Sequence, residues 1–140
     1  MKNKILIIIC SVVLLFGGCE VFVIKGRKIV IEENSAYTQT TPLGTVKIFV
    51  TELLNDNFHA ATSLLIKDNG SFLKPDERHD LTTELARMKR FIERKEVKNE
   101  TTTTHDVNSI VIIEFDNGSK ARFTLIEKKS LYYIKEFLRE

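Results

Sequence analysis

The chain has no tryptophan and few residues that cross-link or punctuate a fold: two cysteines, two prolines and six glycines in 140 residues. Two thiols cannot build a disulfide framework, so a folded domain has to be held by its hydrophobic core. The scarcity of Pro and Gly excludes collagen-like and low-complexity chains. Charge of one sign is not in excess either, with 21 Lys and Arg against 19 Asp and Glu. Lys2 and Lys4 are the only charged residues before position 19, so the remainder carries 19 of each sign. That balance argues against a nucleic-acid binder, which needs a basic face to displace counterions from phosphates. What is present is 43% hydrophobic and 29% charged side chains, enough for one small domain plus extensions.

Met1 to Lys4 make a basic start, and residues 5–16 are apolar except for Ser11. This matches the apolar segment of a signal peptide and falls short of the roughly 20 residues that cross a bilayer. The run ends in Phe16-Gly17-Gly18-Cys19, where small residues let a peptidase bind an extended backbone. It resembles the lipobox of bacterial lipoproteins, with Phe16 where Leu is usual. The resemblance implies a signal peptide over residues 1–18, cleavage between Gly18 and Cys19, and acyl chains on Cys19. Cys10 leaves with the peptide, and the mature domain then has no free thiol. The alternative is an uncleaved signal anchor extended by Val21 to Ile24, which Glu20 and the two glycines disfavour.

Residues 19–41 form the expected lipidated N-terminus. Within them, residues 21–31 read Val-Phe-Val-Ile-Lys-Gly-Arg-Lys-Ile-Val-Ile, either a short hairpin or a segment at the membrane surface with Lys25, Arg27 and Lys28 on anionic head groups. Residues 32–41 are polar and read as a tether. The domain is expected over residues 42–140. Thr41-Pro42 is a helix start, and Val46, Phe49, Val50, Leu53 and Leu54 share one helical face. Asn55-Asp56-Asn57 stops that helix, and Phe58, Ala61, Leu64 and Leu65 mark a shorter second one closed by Asp68-Asn69-Gly70. Pro75 opens a third, with stripe Leu81, Leu85, Met88 and Ile92. After Lys95 the period changes from 3.6 to 2, giving four strands in an antiparallel meander with a hairpin at Asp116-Asn117-Gly118-Ser119. The expected class is therefore α+β, with helices segregated on one sheet face.

The segment from Pro42-Leu43-Gly44-Thr45 through Asn55-Asp56-Asn57-Phe58 to Leu64-Leu65, with Phe123-Thr124-Leu125-Ile126 and the closing Tyr132-Tyr133-Ile134-Lys135, resembles the nuclear-transport-factor-two-like, or cystatin-like, superfamily. The likeness is greatest to lipoproteins with a lumazine-binding-like domain of unknown function, and Tyr133 stands near where relatives usually carry Trp. The resemblance implies a curved sheet wrapped around helices into a cone. Its enzymes place an Asp or His base and a Tyr acid inside that cone. Tyr132 and Tyr133 are the cavity candidates here, and an isomerase or hydratase using a Tyr and a carboxylate is the alternative function. No catalytic pair can be assembled from the sequence: Glu114 falls on the outward register, since Val111, Ile113 and Phe115 share the apolar face.

His59, His79 and His105 occupy unlike contexts, and neither a metal site nor a cofactor is implied. Asp76 and Asp80 flank His79 at i, i+4 spacing, which the helix dipole explains without a metal. His105-Asp106 reads as a turn. The Asn-x-Ser/Thr triplets at Asn69, Asn99 and Asn117 are chance in a bacterial setting. The third helix offers Arg87, Lys89, Arg90, Arg94 and Lys95, readable as a solvated surface or as a face for an anionic neighbour. The overall expectation is an extracytoplasmic lipoprotein, on the outer membrane if the cell has one and otherwise on the plasma membrane. It would act without chemistry as a binding module for an envelope protein or a small apolar ligand, its membrane contact supplied by the lipid on Cys19. Mass spectrometry of membrane-extracted protein is expected to recover an acylated peptide beginning at Cys19; an intact Met1 terminus would refute the assignment.

Overall fold

A computed structural model describes residues 37–140. The expected signal peptide, Cys19 and residues 21–31 lie outside the described residues. Four helices, α1 (Pro42–Leu54), α2 (Phe58–Ser63), α3 (Pro75–Asp80) and α4 (Thr82–Ile92), precede four strands, β1 (Val97–His105), β2 (Asn108–Phe115), β3 (Lys120–Lys128) and β4 (Leu131–Arg139). The strands pair antiparallel in the order β1-β2-β3-β4, so the class is α+β with a meander sheet.

Thr41 opens α1 by accepting a hydrogen bond on Oγ1 from the Gly44 amide at 3.1 Å, and Pro42 takes the first helical position. Asp56 ends the helical course with φ +59°, and Asn57 caps α2 by accepting from the Ala60 amide. Leu64 and Leu65, expected as the last turn of the second helix, lie beyond α2 and pair with β4. Ile134 donates its amide to the Leu64 carbonyl and accepts from Ile66, both at 2.9 Å. The competing strand edge supplies partners that another helical turn would have supplied.

The third helix is two. The Thr82 hydroxyl donates to the His79 carbonyl at 2.7 Å, a local bond that competes with the helical ladder where α3 gives way to α4. Glu77 holds the start of α3, accepting from the Lys74 amide at 2.7 Å and pairing with Lys67. Lys67 first and that amide second keep the Glu77 carboxyl below the ordinary range.

Alternation in β2 follows the expected register. Val111, Ile113 and Phe115 are buried with Ala121, Phe123, Leu125 and Ile134, while Glu114 lies on the other face near Lys98. α1 packs on this apolar face, with Phe49 edge-on to Phe123 at 6.0 Å and tilted against Phe137 at 5.6 Å. Leu53, Leu85, Met88 and Ile92 complete the core. A bulge in β4 lets Ile134 and Phe137 both face inward: Phe123 pairs with Phe137 but Leu125 pairs with Ile134, so Lys135 is the extra residue.

Two hairpin turns close in different ways. At Asp116-Asn117-Gly118-Ser119 only Gly118 has positive φ; Asn117 instead accepts on Oδ1 from the Ser119 amide and hydroxyl. The β3–β4 turn has no glycine, yet Lys129 and Ser130 both adopt positive φ, at 53° and 63°. The left-handed pair matches the right-handed twist of the strands it joins.

Residues 37–41, expected to be tether, belong to the domain. The Gln39 carbonyl accepts from the Tyr132 amide at 2.8 Å, and its side-chain amide returns a bond to the Tyr132 carbonyl at 2.9 Å. The buried Thr45 hydroxyl donates to the Thr41 carbonyl at 3.0 Å. Gly44 permits this approach, because a Cβ there would strike the Thr38 carbonyl oxygen and meet Thr41 Oγ1 at 2.6 Å. Gly44→Ala, normally favourable inside a helix, is therefore expected to destabilise the protein by about 1–3 kcal/mol in urea denaturation. An unchanged midpoint would show that residues 37–41 do not dock this closely.

Candidate functional site

The five cations expected on the third helix separate into three environments. Lys89 is tied to Asp56 at 2.6 Å, across the gap between α4 and the end of α1. Lys95 folds inward: Nζ lies 3.2 Å from the Phe91 ring centroid and 5.2 Å from that of Phe115, and it donates to Ser119 Oγ at 2.8 Å. Burial pushes its pKa below the ordinary value, with Asp116 pulling weakly the other way. It is a packing residue that joins the end of α4 to the β2–β3 hairpin.

Arg87, Arg90 and Arg94 remain outward. Their i, i+3, i+7 spacing places them along one side of α4 and the turn after it. Arg87 is held by Glu84 at 3.3 Å, and Glu84 also takes Arg139 at 2.7 Å. Arg90 and Arg94 are exposed and have no carboxylate partner among the described residues. The free positive charge of this face is thus centred on two guanidiniums rather than on the five cations the sequence offered.

Tyr132 and Tyr133 fall on opposite sheet faces, as consecutive strand residues must. Tyr132 packs against the core from the helix side, whereas Tyr133 meets Phe72 edge-on at 5.1 Å on the other side. The two phenols share no volume. The space between α1 and the sheet is filled by Phe49, Phe123, Leu125 and Ile134, each fully buried. The buried polar residues among those described are Thr45, Thr62 and Ser109, none of them an acid or a base. His105 and Asp106 sit at the β1–β2 turn, Asp106 with φ +50°. Among the described residues no three His, Cys, Asp or Glu side chains gather as a metal site, and no helix is long and apolar enough to cross a membrane.

Concavities occur on the surface. One groove of about 300 Å³ runs between the segment around Lys67 and the β4 bulge. Its lysines are paired, Lys67 with Glu77 and Lys135 with Asp68 at 3.3 Å. A second, of the same size, brings His59 and His79 together with Arg78. In the sequence these histidines stand in unlike contexts, 20 residues apart. Helical spacing marks only the half of the groove that Pro75, Arg78, His79 and Thr82 form at i, i+3, i+4 and i+7; His59 arrives from another helix. Comparison of the chain with protein-family models, curated proteins and solved structures finds no match in any of the three.

Lys95 and the arginines are expected to separate in chemical denaturation. Lys95→Met should remove ring and hydrogen-bond contacts, whereas Arg90→Ser and Arg94→Ser should stay within about 0.5 kcal/mol of the parent. With its folded pKa below the ordinary 10.5, Lys95 loses its proton in the folded state first as pH rises. The stability of the parent relative to Lys95→Met should therefore increase with pH across the interval below 10.5. A flat difference would place Lys95 in solvent.

Proposed function

We propose that the protein is a bacterial lipoprotein held at the cell envelope by acyl chains on Cys19, and that its α+β domain is a non-catalytic interaction module. The basic start, the apolar run and Gly17-Gly18-Cys19 support the anchor. The order of capped helix, short helix, further helices and closing meander supports membership of the cone-like superfamily that the sequence resembles. The observation that carries the non-catalytic reading is the filled interior: Phe49, Phe123, Leu125 and Ile134 occupy the volume in which a substrate would have to sit. With Tyr132 and Tyr133 on opposite faces, the isomerase or hydratase alternative has no converging acid and base to use.

An interaction module works through its surface, and along α4 and the turn after it the outward Arg90 and Arg94 supply unpaired charge. An anionic neighbour at the envelope complements them, either lipid head groups or an acidic protein. Because residues 37–41 dock on the domain, only residues 20–36 separate it from Cys19. Seventeen extended residues reach at most about 60 Å, enough to turn any face of a small domain toward the membrane.

The chain from Glu32 onward is expected to co-sediment with vesicles containing anionic lipid and not with zwitterionic ones. Binding should fall in high salt and in the Arg90→Ser, Arg94→Ser double variant, while Lys95 is left intact to preserve packing. If vesicles fail, a photo-crosslinker at position 90 in intact cells should capture an acidic protein. Absence of both rejects the interaction-module reading.

A further inference from the structure

The groove that brings His59, Arg78 and His79 together is built differently from the rest of the surface. From α2 it takes Phe58, His59 and Thr62, residues at i, i+1 and i+4. Across from them stand Pro75, Arg78, His79 and Thr82, one helical side spanning α3 and the first residue of α4. The Thr62 hydroxyl donates to the His59 carbonyl at 2.9 Å, and the Thr82 hydroxyl to the His79 carbonyl at 2.7 Å. Each histidine therefore projects from a backbone turn that is hydrogen-bonded in place.

The nitrogen-bearing groups meet no acid there. No carboxylate lines the groove, and neither His59, Arg78 nor His79 forms an ion pair with one among the described residues. Arg78 donates from Nε to the Leu73 carbonyl at 3.2 Å, which fixes the guanidinium plane and leaves its two terminal nitrogens without a hydrogen-bond partner among the described residues. The acids of α3 are elsewhere. Glu77 is taken by Lys67 and the Lys74 amide. Asp76 and Asp80 follow Pro75 and His79 by one position, about 100° further round the helix. The other groove, by contrast, has both of its lysines neutralised internally.

We propose that this groove binds a small organic oxyanion, a carboxylate or phosphate carried on a flat apolar body. The oxyanion sits on the Arg78 fork between His59 and His79, and the body lies against Phe58 and the Pro75 ring. Arg is suited to such a group because its planar fork donates two parallel hydrogen bonds to a carboxylate or phosphate. The groove volume of about 300 Å³ sits at the small end for ligand sites, which selects a ligand of one ring rather than a nucleotide or a lipid with its chains. The site uses none of the residues of the Arg90 and Arg94 face and does not depend on acylation of Cys19.

Phenyl phosphate is the probe. Added to the full chain in neutral detergent, it should saturably shift the ring signals of His59 and His79 in a carbon-proton correlation spectrum and leave His105 unmoved. Arg78→Ala should weaken binding roughly tenfold or more, the loss expected for a charged hydrogen bond. His59→Gln and His79→Gln, at exposed positions where folding is not at stake, should each weaken it by a smaller factor. Inorganic phosphate should bind more weakly than phenyl phosphate, and benzyl alcohol should not shift the histidines. The proposal is overturned if phenyl phosphate leaves both rings unmoved. It is equally overturned if benzyl alcohol shifts them as strongly, if inorganic phosphate binds as well as the phenyl ester, or if all three variants bind like the parent.

Discussion

Everything else in the domain is arranged around the burial of Phe49. Its ring is wholly inside, edge-on to Phe123 and tilted on Phe137, and it is the point at which the longest helix meets the two strands farthest from it in sequence. Burying a side chain of this size contributes roughly 1.5–3 kcal/mol, and aromatic pairs add about 0.5–1.5 kcal/mol beyond area. Such terms are a sizeable share of the net stability of a small domain. With no thiol among the described residues, nothing covalent replaces them. The same ring explains why the interior is closed to ligands: the side chains that hold helix to sheet occupy the room between them.

In the proposed reading the surface meets the partner, and there charge pairing sorts the available groups. Lys47 pairs with Glu100, Lys67 with Glu77, Lys89 with Asp56 and Lys135 with Asp68, each contact tying a helix or loop to a neighbouring element. Exposed pairs of this kind are individually worth little, about 0–1 kcal/mol. Their larger consequence is to remove lysines from the pool that could meet a partner. Arg90 on α4, Arg94 in the turn after it and Arg78 in the α2–α3 groove are among the basic side chains left without a carboxylate among the described residues, and the anionic character of both proposed partners follows from them.

Much of the fold was legible because short-range rules suffice for it. Thr41-Pro42 starts a helix wherever its hydroxyl can reach an amide, and Val111, Ile113 and Phe115 alternate with polar residues because one sheet face is buried. Hairpin closure at Gly118 needs only a residue that tolerates positive φ. The candidate surface was legible only in part. Arg90 and Arg94 stayed exposed, but Lys95 could not be told from them, since its aromatic partners come from the end of α4 and from a strand 20 residues on. The histidine groove was invisible because His59 and His79 stand on different helices whose packing side by side no local spacing records.

By itself, the sequence determined the class of element at nearly every described position, the order of the strands and the face each apolar residue of β2 would bury. It also carries the basic start, the apolar run and the Gly17-Gly18-Cys19 triplet on which the proposed export and acylation rest, because a leader is read as a local string rather than as a shape. Tertiary structure alone decided where Leu64 and Leu65 left the helix to pair with β4, how an extra residue at Lys135 turned both Ile134 and Phe137 inward, and that residues 37–41 would dock. The physical reason is common to all three. Each outcome depends on a backbone partner or a packing neighbour supplied from more than 60 residues away, or, for the bulge, from the opposing strand and the helix above it. Local periodicity records what a residue prefers, not which distant group arrives to satisfy it.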